Sequence, residues 1–265
     1  MKKTVILVWT QKCKNCKTTS TDNYWGLGDL IRGAIKLFQL SKKMNFNLIV
    51  NTILHPVSLH LKKQTSEYDD LIMENKNNIE FVFPGNVENH IENSQNKTIY
   101  FLTNDFCDED EITDECKEFI KTILTPSNDI LNLLENYNSK NYNILHMRFG
   151  DEFITNKDII DDNFIDSVKT RIADNMDAIF MCDSFFVKER LKKDGFFENS
   201  NISFIDLDGG HLGYEQDAEK IRNTLLEFFI ISKSNAIKTY SIYSWVSGFV
   251  FWTVKLYDIP LIRIN

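Results

Sequence analysis

The chain has 265 residues, 43% of them hydrophobic and 26% charged, which is the composition of a folded water-soluble protein with apolar material for one large or two small domains. A formal net charge of −8 and a pI near 5.2 argue against a general nucleic-acid or anionic-membrane binder, while leaving room for a local basic pocket. Four prolines and ten glycines leave little for long flexible linkers.

In chain order, the run Val5 to Trp9 is apolar but too short for the hydrophobic core of a secretory signal, and it reads as a first strand. Cys13 and Cys16 form a lone C-x-x-C, and Cys107 with Cys116 does not supply a second pair at zinc-ligand spacing. Reduced thiols with no metal are therefore expected, which suits a cytoplasmic location. No stretch reaches membrane-spanning length.

The segment Trp25-Gly26-Leu27-Gly28-Asp29-Leu30-Ile31-Arg32-Gly33 leads into apolar positions at helical spacing, Ile31, Ala34, Ile35 and Phe38. Glycines at such a turn let backbone approach a ligand, and the N–H groups of a helix start favour anions. The same residues also suit a tight turn with close helix–sheet packing. Asn47 to Leu54, Ile79 to Phe83 and Thr98 to Thr103 read as further strands, with helical segments at Val57 to Lys63, Glu67 to Glu74, Cys116 to Leu124 and Pro126 to Leu134. The polar stretch Tyr137 to Asn141 marks a boundary, giving domains 1–140 and 141–265.

The second half repeats the alternation. Strands are expected at Tyr142 to Phe149, Ala178 to Cys182, Ile202 to Leu207, Ala236 to Tyr240 and Leu261 to Ile264. Helices are expected at Asn163 to Ala173, Phe185 to Lys192, Gln216 to Ser232 and Ser244 to Leu256. Alternating strands and helices imply βαβ units and parallel sheets, so the fold class is α/β, with two Rossmann-like domains facing a cleft.

Two stretches carry chemistry. In the strand from Tyr142, alternation puts Leu145, Met147 and Phe149 on one face and Ile144, His146 and Arg148 on the other, followed by Gly150-Asp151-Glu152. Ligands of open α/β sheets bind at the carboxyl ends of strands, and Arg suits a bidentate grip on phosphate. The alternative is a core histidine and a structural Arg148–Asp151 bridge. Later, Ser241-Ile242-Tyr243-Ser244-Trp245 joins a strand to a helix, where Ser241 and Ser244 serve as caps or as part of a phosphate cradle. A competing signal is Asp206-Leu207-Asp208 after an apolar run, a D-x-D pattern that can hold Mn²⁺.

Taken in order, His146-Met147-Arg148-Phe149-Gly150-Asp151, Leu226 to Ser232 and Ser241-Ile242-Tyr243-Ser244-Trp245 resemble motifs of the GDP-fucose-dependent fucosyltransferases, the α1,2-, α1,6- and protein O-fucosyltransferase group. Gly26-Leu27-Gly28-Asp29 resembles their N-terminal G-x-G-N. The resemblance implies a GT-B arrangement, with an acceptor-side first domain and a donor-side second domain. It implies an inverting, metal-independent transferase moving fucose from GDP-fucose to a glycan or protein hydroxyl, with no cofactor. It places Arg148 on the diphosphate and glycosidic oxygen, and His146, Asp151, Glu227, Ser241, Tyr243, Ser244, Gly26 and Gly28 around the donor, Glu227 as a guanine or ribose contact. Asp29 and Glu152 are the candidate bases, and Trp25 with Tyr24 the candidate acceptor platform. The chain departs from the family pattern at Phe149, Asp29 and Ile242. Two other readings stay open. Gly26-Leu27-Gly28-Asp29 also resembles heptosyltransferases, which use another nucleotide sugar. A catalytically silent nucleotide- or glycan-binding protein on the same fold is the other.

Overall fold

Continuous apolar runs become the central strands of two parallel sheets. The computed structural model describes residues 2–15, 25–137, 141–200 and 203–264. These divide into two compact units, Met1–Leu131 with His211–Arg222, and Asn132–Gly210 with Asn223–Asn265. Nothing in the sequence patterning announces the return of His211–Arg222 to the first unit.

In the first unit, β1 (Thr4–Val8) is buried along its whole length and lies between β2 (Asn47–Asn51) and β3 (Thr98–Phe101), parallel to both. The helix α1 (Leu27–Met44) follows the loop after β1, and its apolar stripe from Leu30 to Leu40 is buried. Gly33 is where α1 meets the chain after β3: a Cβ there would stand 2.1 Å from the Thr103 carbonyl oxygen. Short helices α2 (Asp69–Glu74) and α3 (Val87–Asn93) follow β2, and α4 (Asp114–Ile123), capped by the Thr113 hydroxyl, follows β3. α4 packs on α1 through Phe119 against Phe38, with ring centroids 5.2 Å apart. The expected strand Ile79 to Phe83 is reduced to a bridge between Phe81 and Leu102. The bonds to Leu102 come from Glu80 and Val82, while the Phe81 backbone groups on the other edge are taken by the Asn15 side chain, which donates to the carbonyl at 2.8 Å and accepts from the N–H at 2.7 Å, so no further strand pairs on that side. Cys13 is disulfide-bonded, which corrects the expected free thiol at that position. Its motif partner Cys16 and Tyr24 lie outside the described residues.

The second unit opens with α5 (Asn128–Leu134), which starts in the first, and continues into β4 (Asn143–Arg148). Then come α6 (Asp151–Thr155), α7 (Asp162–Ala173), β5 (Ala178–Cys182), α8 (Phe185–Lys193), α9 (Phe196–Ser200), α10 (Ala218–Ile231), β6 (Ala236–Ser241), α11 (Gly248–Tyr257) and β7 (Leu261–Arg263). The sheet order is β5-β4-β6-β7, all pairs parallel. Leu145, Met147 and Phe149 pack with Phe180, Cys182, Ile165, Val168, Val187 and Leu191 in one core, as the alternation along β4 requires. His146 and Arg148 therefore belong to the opposite face. The expected strand Ile202 to Leu207 contributes a single bridge, Phe204 to Phe180. Beyond it the backbone turns onto other partners: Lys188 Nζ donates to the Leu207 carbonyl, and Thr224 Oγ1 donates to the Gly210 carbonyl at 2.8 Å. Among the described residues no helix is long and apolar enough to cross a membrane.

Candidate functional site

The carboxyl edge of the second sheet gathers most of the expected residues. Arg148 ends β4, and its Nη1 donates to Asp183 Oδ2 at 2.7 Å. Asp183 directly follows β5, the neighbouring strand. The same carboxylate accepts the Phe149 N–H at 2.9 Å and the Gly150 N–H at 3.2 Å. One acid thus fixes both the guanidinium and the turn leaving β4. Burial pushes the Asp183 carboxyl above its usual range, while Arg148 and the two N–H groups pull it back. Asp183 was not among the sequence candidates. Its only signal was an acid at the end of an apolar strand, and its relation to Arg148 appears only through the β4–β5 register. Asp183 is thus a partner of Arg148 that the Arg148–Asp151 alternative did not include. The Asp151 side chain lies outside the described residues. Glu152, on the first turn of α6, is exposed.

Gly150 adopts φ +94°, a left-handed conformation that L side chains rarely take. A Cβ there would also stand 2.5 Å from Tyr243 Oη. Tyr243 is thus packed against the turn that Asp183 holds. The segment after β6 is tied to the same edge: Ile242 N–H donates to the Arg148 carbonyl at 3.1 Å, and Ser241 Oγ accepts the Tyr243 N–H at 3.2 Å. Ser241 also stands opposite Arg148 in the β4–β6 register. Ser244 does not open the helix, contrary to expectation. Arg263 from β7 donates to the carbonyls of Ser244 at 2.7 Å and Tyr243 at 2.9 Å, and α11 starts only at Gly248 with Ser247 in the cap position. Held by these bonds, the carbonyls are not available to a first helical turn.

His146 is buried on the same face, in register with Met181 and Thr239. Its Nδ1 has no hydrogen-bond partner, and neither has Thr239 Oγ1. Burial, with the Arg148 charge second, pushes its pKa down to about 3, so the imidazole is neutral. Glu227, in α10, is also buried. It faces Lys188 Nζ at 3.5 Å and stands beside Gly209, and burial pushes its pKa up to about 7 against the pull of Lys188.

The first unit holds the other candidates. Gly26 takes the N-cap position of α1, and Gly28 is buried in the first turn. The Asp29 carboxylate accepts the Gly26 N–H, the reach-back of a capping box, and pairs with Arg32 at 3.0 Å. Burial raises the Asp29 pKa, with Arg32, the Gly26 N–H and Asn104 opposing. Arg32 lies over the exposed Phe106 ring at 4.6 Å. His211 Nε2 sits 3.3 Å from where a Gly26 Cβ would be, a neighbour no sequence signal offered. Trp25 is buried and stacked on Phe81 at 4.4 Å, so it presents no face to a sugar, which corrects the expected platform.

Of the competing D-x-D, Asp206 pairs with Lys192 at 2.5 Å. Among the described residues no cluster of three or more His, Cys, Asp or Glu could hold a metal ion.

No protein-family model matches the chain, and no curated protein matches it. Solved structures do. NodZ alpha-1,6-fucosyltransferase soaked with GDP-fucose aligns over 100% of this chain and 96% of its own, at 13% identity and a TM-score of 0.57. NodZ co-crystallised with GDP gives 12% identity over the same shares and the same TM-score of 0.57. A mutant of Arabidopsis thaliana FUT1 in complex with GDP covers 100% of this chain and 71% of its own, at 11% identity and a TM-score of 0.49. The chain has the fold of NodZ.

Proposed function

We propose that the protein is an inverting, metal-independent glycosyltransferase that moves fucose from GDP-fucose to a hydroxyl of a glycan or protein. The observation that carries this reading is Arg148, locked by Asp183 at the carboxyl end of β4 beside the Gly150 turn and the Ser241–Ser244 segment. The fold shared with NodZ, solved with GDP-fucose, supports the donor.

In the reaction, the bond from fucose C1 to the β-phosphate oxygen breaks and its electron pair stays on the diphosphate. Fixed positive groups aimed at that charge lower the barrier. Arg148 supplies one, and Asp183 keeps it from swinging away. His146, neutral, stands behind it without adding charge. The acceptor oxygen bonds to C1 from the opposite face and gives its proton to a base. Asp29, with its raised pKa, and Glu152 are the candidates for that role. The Lys192 pair on Asp206 supports a route without a D-x-D metal.

The test is a thermal-shift panel of GDP, UDP, ADP and CMP, followed by transfer from GDP-fucose with and without EDTA. Selective stabilisation by GDP and EDTA-resistant turnover are expected. Stabilisation by UDP instead, or activity abolished by EDTA and restored by Mn²⁺, refutes the reading. GDP binding with no turnover on any acceptor selects the silent binding protein.

A further inference from the structure

Resting on that donor reading, we propose that Trp245 is the platform on which the apolar face of the acceptor sugar stacks. Of the four tryptophans in the chain, Trp9, Trp25 and Trp252 are buried, whereas Trp245 is 62% exposed. Tyr243 covers one face of its indole, with centroids 4.9 Å apart and 9° between the planes. That leaves the exposure to the opposite face and the rim.

This exposed ring is firmly mounted. The Tyr243 ring beneath it reaches the Gly150 turn, and the backbone of Tyr243 and Ser244 is held by Arg263. Ile242 N–H is bonded to the Arg148 carbonyl, so the platform is one short tether from the residue proposed to hold the diphosphate. An aromatic ring fixed beside a transfer site offers a pyranose the flat, apolar contact its C–H face requires. A nucleobase needs in addition donors and acceptors beside the ring to read its edge. Here the carbonyls of Tyr243 and Ser244 already accept from Arg263. The exposed Ile242 beside it extends the apolar contact instead. The sequence-level expectation put this role on Trp25, which the structure buries; the only tryptophan with a free face is in the other unit.

The test uses the whole chain loaded with GDP, with GDP affinity measured separately by calorimetry. Methyl β-galactoside, methyl β-N-acetylglucosaminide and methyl α-mannoside are titrated while the tryptophan emission quenchable by iodide, that of Trp245, is followed. At least one glycoside is expected to shift that emission saturably. Trp245→Ala, read by saturation-transfer NMR, should weaken the glycoside about tenfold or more with GDP affinity kept, and Trp245→Tyr should recover most of it. Unchanged melting of Trp245→Tyr controls for folding should the alanine variant be unstable. Glycoside affinity indifferent to both variants overturns the proposal and leaves the donor reading standing. So does GDP itself shifting the Trp245 emission while no glycoside does, which assigns the ring to the base. Absence of GDP binding overturns the donor reading and this proposal with it.

Discussion

Arg148→Met removes the guanidinium but keeps much of its apolar stem, and two separate losses follow. The first is in stability. Breaking a buried ion pair by deleting one partner costs about 3–5 kcal/mol. Here the side chains are 19% and 12% exposed, and Asp183 keeps its two backbone N–H bonds, so the low end, about 3 kcal/mol, applies. At roughly 2–4 °C per kcal/mol for a chain of this size, the melting point should fall by about 6–12 °C at neutral pH. The loss depends on pH. The Asp183 pKa already lies above its ordinary value, and without Arg148 it rises further, because the largest opposing influence is gone. A carboxyl whose folded pKa is raised binds more protons folded than unfolded. Stability is then fully present below the unfolded pKa and is lost as pH rises through the folded one. The gap between Arg148→Met and wild type should therefore widen as pH rises. The second loss is in GDP affinity: a charge-assisted contact is worth about 1.5–3 kcal/mol, or roughly 10- to 150-fold in Kd. Scanning fluorimetry from pH 5 to 8, with and without GDP, measures both. A gap that narrows as pH rises uncouples Asp183 from Arg148. A wild-type GDP shift in the folded variant removes Arg148 from the donor site.

Gly150→Ala meets a left-handed φ and the Tyr243 hydroxyl at once, so a loss of about 1–3 kcal/mol is expected in chemical denaturation, together with weakened GDP binding. Glu227→Gln should flatten the pH dependence of stability: the wild-type carboxyl, with its pKa moved from 4.5 to about 7, makes stability fall by up to about 3 kcal/mol as pH rises across that interval, and the amide cannot. An unaltered slope in Glu227→Gln means that the buried pair with Lys188 is not what titrates. Asp29→Asn separates base from cap. A large fall in turnover with GDP affinity intact is expected, whereas full activity leaves Asp29 only its bonds to Gly26 and Arg32.

The sequence was most legible where one element decides its own structure. β1, β4, β5 and β7 form near the apolar runs that announce them, and β6, with Lys238 and Thr239 inside it, forms near where the alternation places it. The segments around Phe81 and Phe204 are equally apolar, yet each makes one bridge, which the apolar pattern alone does not reveal. Asn15 caps the outer edge of the Phe81 segment, the side facing away from β3. At the site, Arg148, His146 and the Ser241–Ser244 segment could be read because each sits at the end of its own strand. Asp183 could not, since its meaning depends on being one strand over. Burial was the other blind spot: Trp25 and Trp245 are the same residue type, and the first is buried and stacked on Phe81 while the second is exposed.

The site's dependence on strand neighbours has a consequence for when in folding the proposed donor site comes into being. Arg148 and Asp183 are 35 positions apart, and Ser241 reaches Arg148 only through β6, later still in the chain. Such parallel pairings are non-local and form slowly, while helices such as α7 and α8 can form early from local contacts. A refolding chain should regain most of its helical circular dichroism before it shows the proposed GDP binding. The nucleotide would then stabilise only molecules in which β5, β4 and β6 are already side by side, so that binding competence marks the end of folding.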